Sequence, residues 1–313
     1  MAKRKTKTDT RCPRCGFQYA WDGRFCNHCH YPHAKQTNWD EFVQLERFLY
    51  AHPNPERRKL RLFGCACLRE VVDLLPTAGG QALEILESAD RKNFNEAYAL
   101  AELIATNLGR WPQAYAVELA SGALTLLANQ FRGSVLVDTP ILQREIFHVA
   151  AQARTTQAAG SVPQVSEELV TAPEFWVQRN QRMYERGEMP PPPLTNAEQA
   201  QMNDYHAAQR VARQQQQQRR ELANQQETRH CQLYRDIFRY PFGNKEFRTA
   251  WISSTVYDMA LSMERTNDYS ALPILSDALQ DAGCDDEEVI AHCLRPGPHV
   301  RGCWVIDLIL GRK

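Results

Sequence analysis

The sequence predicts a mainly α-helical protein in which a bundle-like helical domain follows a small β module at the N-terminus. Apolar residues recur at spacings of three and four along most of the chain after residue 38, as in helices with one buried face. Glycine, asparagine and proline residues divide this pattern into segments of helix length, without the strand–helix alternation of a nucleotide-binding fold. Two closely spaced cysteine pairs stand before the helical pattern and predict the separate module.

The composition limits the classes of protein to consider. The 313 residues carry 37 basic and 37 acidic side chains, so no net charge attracts the whole chain to nucleic acid or to a membrane. The chain has no apolar run of about 18 residues, and its basic start is not followed by an apolar stretch, which argues against a transmembrane helix and a signal peptide. We therefore expect a cytoplasmic protein whose ten cysteines are metal ligands or buried apolar groups.

The N-terminal cysteines give the strongest chemical signal. Cys12 and Cys15 form one Cys-x-x-Cys pair, Cys26 and Cys29 form another, and ten residues separate the two pairs. Each pair can form a tight turn that directs two thiolates at one point, and four thiolates suit a closed tetrahedral zinc site. We predict that these four residues bind one Zn²⁺ and that the segment does not fold without it.

Residues 12–33 resemble the small zinc-ribbon family, whose pattern is CPxCG, about ten residues with a glycine turn, and FCxxCG; this chain departs from it with His30 in place of the last glycine. This chain has CPRCG, the turn DGRF and FCNHC, and the resemblance implies two short strands around the turn. Residues 1–11 are predicted to be a disordered basic tail, which is either a solubilising terminus or an arm that touches nucleic acid. The candidate nucleic-acid contacts are Lys3, Arg4, Lys5, Lys7, Arg11 and Arg14.

Residues 39–154 are predicted to form the first part of the helical domain. One amphipathic helix is indicated by the apolar series Leu60, Phe63, Cys67, Val71 and Leu74, and Pro76 ends it. Cys65 and Cys67 are two residues apart and so point to different faces of this helix, which predicts burial and not a shared metal. Further segments rich in alanine and leucine follow as far as residue 153.

Residues 155–194 are predicted to be a proline-containing linker or insert, since turn formers and the run Pro190–Pro193 favour an extended spacer. Thr195 and Glu198 then form a capping-box pattern that begins a long, glutamine-rich polar helix reaching about residue 229. This helix has few apolar residues, which predicts a solvated helix; the alternative is a helix that docks a partner.

The C-terminal part is predicted to consist of short helices that, together with the polar helix, pack on residues 39–154. One helix is indicated by Ile252, Val256, Met259, Ala260 and Met263, and a second by residues 273–282 with Gly283 as its stop. Asp285 and Glu288 are predicted to cap a third. RPGPHVRG is predicted to be a loop, and CWVIDLIL is either a last helix or a buried strand.

Four stretches resemble a large family of uncharacterised bacterial proteins that is much expanded in planctomycetes. They are RKLRLFGCACLREV, LYRDIFRYPF, LPILSDALQDAGCDDEEVIAHC and PHVRGCWVIDLILGRK. The corresponding family patterns are RKLRLFACACCRR, LLRDIFGNPFRP, and ADALEDAGC followed by HVRGCWVVDLLLGK. The resemblance covers about residues 39–75 and 230–313, and it implies a shared domain that joins the two ends of the helical region. It implies no activity.

The C-terminal stretch also contains residue types that carry chemistry. A candidate second metal site consists of Cys284, His292, His299 and Cys303, since these residue types suit zinc, and His230 and Cys231 are candidate neighbours in space. The catalytic alternative is a thiolate activated by a histidine. The spacing matches no known zinc motif, so a structural corner with paired roles for Arg301 and Asp307 is a third interpretation.

These patterns favour a non-enzymatic binding or adaptor protein that contacts nucleic acid or a protein partner through the ribbon and the basic tail. The sequence contains no phosphate-binding glycine loop, no HExxH and no GxSxG. Two alternatives stay open: an enzyme or second metal site that uses the C-terminal cysteines and histidines, and a scaffold that docks a partner on the glutamine-rich helix.

Overall fold

The computed structural model describes residues 12, 26, 56–88, 93–107, 114–132, 171–186, 193–239 and 247–312. This part of the chain is mainly helical, as the sequence predicts. Its α-helices are α1 (Arg57–Arg69), α2 (Thr77–Glu87), α3 (Phe94–Thr106), α4 (Ala114–Arg132), α5 (Glu174–Arg186), α6 (Asn196–Ile237), α7 (Ser254–Thr266), α8 (Leu272–Asp281), α9 (Glu287–Leu294) and α10 (Trp304–Ile309). Short 3₁₀ helices cover Val72–Leu74 and Thr249–Trp251. The predicted β ribbon and basic tail lie outside the described residues, apart from Cys12 and Cys26.

The chain divides into two compact units, one of Met1–Ala153 with Gln226–Lys313 and one of Arg154–Gln225. In the second unit, α5 lies within the segment that we predicted to be a linker. The predicted capping box begins α6: the Thr195 N–H donates to Glu198 Oε2 at 2.8 Å, and the Glu198 N–H donates to Thr195 Oγ1 at 3.3 Å. The helix extends past residue 229 because its last turns are apolar and belong to the core of the first unit.

The first core of the larger unit is formed by α1–α4 and the end of α6. The predicted stripe of α1 is buried, and Phe63 packs edge-on against Tyr234 of α6 at a ring separation of 5.2 Å. Cys65 and Cys67 are also buried, as predicted. The helix ends at Arg69, and the 3₁₀ turn carries Leu74 into the same core.

The second core of this unit is formed by α7–α10. Ser253 caps α7, and Gly283, with φ of +84°, follows α8 as its predicted stop. The cap of α9 differs from the prediction by one residue: Asp286, and not Asp285, accepts the N–H of Glu288 at 3.1 Å. The ambiguous stretch CWVIDLIL forms the buried helix α10.

Helix α10 is joined to α1 by an ion pair between buried Asp307 and Arg58, with 2.7 Å between Oδ2 and NH1. Arg301 and Asp307, for which the structural-corner interpretation expects paired roles, have different partners here. Arg301 instead donates from NH2 to the backbone carbonyl of Glu264 at 3.3 Å. No helix in the described part of the chain combines the length and the apolar character that crossing a bilayer requires.

Candidate metal centre

Four side chains from four separate segments of the larger unit converge near the end of α6. Asp236 lies on the last turn of α6, His292 on the last turns of α9, His299 in the following loop, and Cys303 at the N-cap of α10. One candidate ligand atom from each residue lies within 4.8 Å of the other three. Asp236, His292 and Cys303 are buried and His299 is partly buried, and we call these four residues the Asp236 cluster. The cluster could hold a metal ion.

Asp236 is the centre of the cluster. Its Oδ1 lies 2.6 Å from His299 Nδ1 and 3.2 Å from His292 Nε2. Its Oδ2 accepts the backbone N–H of Val300 at 2.8 Å. Burial alone would raise the pKa of the carboxyl group, but the hydrogen bonds and charges of His292 and His299 outweigh burial and lower it. Asp236 is therefore an ionised carboxylate held in place from three sides.

His299 faces a hydrogen-bond acceptor at each of its ring nitrogens. Nδ1 faces the Asp236 carboxylate, and Nε2 lies 3.0 Å from the backbone carbonyl oxygen of Arg295. Both nitrogens are therefore placed to donate, which favours the doubly protonated ring. Burial acts to lower the pKa of His299, but the hydrogen bond and the charge of Asp236 raise it by more.

His292 has the opposite arrangement. Its Nδ1 accepts the indole N–H of Trp304 at 2.9 Å and lies 3.1 Å from the guanidinium NH2 of Arg295. The proton of the neutral ring must then be on Nε2, which faces Asp236 and lies 3.2 Å from Cys303 Sγ. The pKa of His292 is lowered, chiefly by burial, so the ring is neutral. Burial, followed by the charge of Asp236, raises the pKa of Cys303, so its metal-free form is a thiol.

The donor set of one carboxylate, two imidazoles and one thiolate suits zinc. His299 also has the environment typical of a metal ligand, because its second nitrogen can donate to a carbonyl while Nδ1 binds the ion. His292 fits less directly, since its second nitrogen faces two donors. It could bind a metal through Nε2 only as an imidazolate, with the charge of Arg295 beside it. Asp236, His299 and Cys303 are thus the three readiest donors.

A cavity of about 720 Å³ borders the cluster and includes three of its four residues in its wall. The indole of Trp304 forms another part of the wall, and the Arg239 guanidinium lies 5.1 Å from the centre of the indole ring. Arg239 is held there by Asp286 at 2.9 Å and Glu288 at 3.0 Å. The wall consists of Gln232, Arg235, Asp236, Glu288, Ala291, His292, Leu294, Arg295, Pro296, Gly297, Pro298, His299 and Trp304.

The structure brings together three of the four residues of the predicted second site. Cys284 is not among the clustered residues and is buried in the core of α7–α10, while Asp236 takes its place. His230 and Cys231 are buried on α6 and do not belong to the cluster either. The signal that could have indicated Asp236 is its position in LYRDIFRYPF, one of the stretches that carry the family resemblance.

Of the predicted ribbon ligands, Cys12 and Cys26, one from each pair, are both buried. Cys15 and Cys29 lie outside the described residues, as do the candidate nucleic-acid contacts Lys3, Arg4, Lys5, Lys7, Arg11 and Arg14.

In comparisons with known proteins, the chain matches no protein-family model, no curated protein and no solved structure. The two family resemblances therefore remain predictions. The class that the geometry defines is a mainly helical protein with a candidate metal centre at the junction of α6, α9 and α10.

Proposed function

We propose that this protein is a metal-dependent binding or adaptor protein and that the Asp236 cluster is a structural zinc centre. The observation that carries the proposal is the convergence of four donor atoms from segments that are up to 67 residues apart in the chain. A metal ion at this point would fix the end of α6 to the loop between α9 and α10. It would thereby connect the last helices of the chain to the core of α1–α4.

The burial of the donors supports a structural role for this ion. Asp236 and His292 expose only 2% and 1% of their side chains, and Cys303 is fully buried. Structural zinc sites are closed by four protein ligands, whereas catalytic sites keep one position for water or substrate. With His292 bound through Nε2 as an imidazolate, the four buried donors would form a site of the closed type.

Under the same proposal, the predicted N-terminal ribbon is the surface that contacts a partner. The burial of Cys12 and Cys26 is what four thiolates around one ion would require. The basic tail next to it supports nucleic acid as the partner, and a protein with an acidic surface is the alternative. A titration of DNA and RNA binding against salt, with the zinc-loaded protein, distinguishes a nucleic-acid partner from a protein partner. Absence of binding at low salt excludes nucleic acid as the partner.

The metal content of the purified full-length protein tests the zinc centre. We expect one zinc ion at the ribbon and one at the Asp236 cluster. Cys303→Ser and His299→Gln should each remove one of them, and Cys12→Ser should remove the other. Cys284→Ser is the matched control, since Cys284 is a buried cysteine near by in sequence that is not in the cluster. The proposal fails if Cys303→Ser and His299→Gln keep the metal content of the wild type.

A second candidate function is a metal-dependent enzyme, and the environment of His292 favours it. If the two donors at Nδ1 keep the proton on Nε2, only Asp236, His299 and Cys303 bind the ion. The fourth position would then be open to water and would adjoin the cavity. Cobalt substitution distinguishes the two candidates: azide should leave the visible spectrum of a closed site unchanged and should alter the spectrum of an open one.

A further inference from the structure

A second cleft, of about 530 Å³, lies in the larger unit on the side of α1 that faces α7. Side chains from α1, the end of α2, the end of α7 and both sides of α10 form its wall. Most of them are arginines. The wall consists of Arg58, Arg61, Glu87, Ser88, Glu264, Arg265, Arg301 and Arg312. We call it the arginine cleft.

The carboxylates of the arginine cleft are already engaged by other cations. Glu87 accepts two hydrogen bonds from Arg69, which is outside the cleft, at 2.8 and 3.0 Å. Glu264 is paired with Arg312, and Arg58 is paired with Asp307. Within the described residues, Arg265 and Arg301 form no ion pair, and Arg61 also lines the cleft, so the wall holds five arginines and two glutamates and carries an excess of positive charge.

Arg301 is the residue of the cleft that most needs a further partner. Its NH2 group donates to the Glu264 backbone carbonyl, which is neutral. Its Nε is buried and has no hydrogen-bond partner among the described residues. A buried donor of this kind is costly to leave unpaired, and the side chain of Arg301 also lines the cleft, where an anion can pair with its guanidinium group. Guanidinium groups bind the oxygens of phosphate through paired hydrogen bonds.

We propose that the arginine cleft binds a doubly charged phosphate-type oxyanion, either free phosphate or the phosphoryl group of a small phosphomonoester. The five arginines of the wall outnumber its two glutamates, and this excess of positive charge favours an anion with two negative charges over one with a single charge. The volume of the cleft is larger than one phosphate requires, which leaves space for a small organic group. A phosphodiester carries one negative charge and matches less well. The site is separate from the Asp236 cluster and does not depend on a metal there.

Calorimetric titration of the zinc-loaded full-length protein tests this site, with inorganic phosphate, methyl phosphate and dimethyl phosphate as the probes. We expect one saturable site per chain with a Kd below about 1 mM for the first two probes and at least about tenfold weaker binding of the diester. Binding of methyl phosphate as tightly as phosphate indicates a phosphomonoester, and weaker binding indicates free phosphate. Absence of saturable binding, or equal binding of the diester, overturns the proposal.

Variants connect the binding to the cleft. Arg301→Gln should weaken phosphate binding by about tenfold or more, and Arg265→Gln should weaken it by a smaller factor. Arg210→Gln, at an exposed arginine of α6 that does not line the cleft, should bind as the wild type does. If Arg301→Gln does not fold, phosphate binding by Arg265→Gln tests the proposal, because Arg265 is exposed. Wild-type affinity in Arg265→Gln and in a folded Arg301→Gln protein would contradict the proposal.

Discussion

At the scale of single residues, Gly302 shows how closely the loop before α10 approaches α1. Its φ is +95°, and a Cβ at this position would lie 2.9 Å from Leu62 Cδ1 and 3.3 Å from Leu62 Cβ. An alanine would therefore be strained in its backbone and crowded by its neighbour. We expect Gly302→Ala to lower the free energy of unfolding by about 2 kcal/mol.

Urea denaturation measures this effect, and Gly122→Ala is its control. Gly122 lies in α4, where an added Cβ would meet nothing within 4 Å. An alanine there should leave the stability unchanged or raise it by about 0.5–1 kcal/mol. Equal effects of the two substitutions would show that the loop does not constrain residue 302.

His230 gives the folded protein a defined pH dependence. Burial, followed by the charge of Arg229, lowers its pKa to about 4. Because the unfolded chain takes up this proton near pH 6.5, the stability that neutral His230 provides is complete above pH 6.5. It is lost progressively as the pH falls from 6.5 to 4, and the total loss is about 3 kcal/mol.

The measurement is thermal or urea unfolding of the wild type and of His230→Gln between pH 7 and pH 4.5. The glutamine has no proton to take up in this range. The loss of stability on acidification should therefore be smaller in the variant by about 2–3 kcal/mol. Parallel pH profiles would contradict the assignment, whatever other groups titrate.

The residues of the Asp236 cluster also show what the sequence could predict. His292, His299 and Cys303 lie close together in the chain, so the sequence indicates that they can meet. Asp236 belongs to a helix far from them in sequence, and its role arises only when the end of α6 packs against their loop. Cys284 is near them in sequence, but α8 and α9 bury it in an apolar core. Sequence distance alone does not distinguish these two cases.

At the scale of the helices, local signals were the most reliable. The Thr195–Glu198 capping box was predicted correctly because all its contacts lie within four residues. The cap of α9 was misplaced from Asp286 to Asp285, since two adjacent aspartates satisfy the same pattern. Tertiary structure decides between them: Asp286 also binds Arg239, which covers Trp304.

Asp286 thus combines a helix cap with an ion pair, and substitutions can separate the two. We expect Asp286→Ala to lower the free energy of unfolding by about 2–3 kcal/mol, because it removes both interactions. Asp286→Asn keeps a good cap and should restore about 1 kcal/mol of that loss. Chemical denaturation of both variants measures the difference. If asparagine is no better than alanine, the cap does not contribute to stability.

At the scale of the whole chain, the four stretches that carry the family resemblance lie in α1, at the end of α6, in α8–α9, and in the loop and helix of α10. The contacts that join them include the Arg58–Asp307 ion pair and the Asp236 cluster. The family resemblance implies that the two ends of the helical region meet in one domain. It could not predict the partners, since Arg58 and Asp307 are 249 positions apart.

The Arg58–Asp307 pair should contribute strongly to the stability of this junction. Asp307 exposes only 1% of its side chain, so Arg58→Met leaves a buried carboxylate without its cation. We expect a loss of about 3 kcal/mol in the free energy of unfolding. Combining Arg58→Met with Asp307→Leu should cost less than the sum of the single substitutions, which a double-mutant cycle by denaturation measures. Additive effects would show that the two residues are not coupled.

The most direct test of the central claim is an anomalous difference map, recorded at the zinc absorption edge, from crystals of the full-length protein grown with zinc. We predict a peak within about 2.3 Å of Cys303 Sγ that also contacts Asp236, His292 and His299. The N-terminal cysteines provide an internal reference for zinc loading. A peak at those cysteines with none at the Asp236 cluster would contradict the account and would leave the cluster as a hydrogen-bonded corner of the fold.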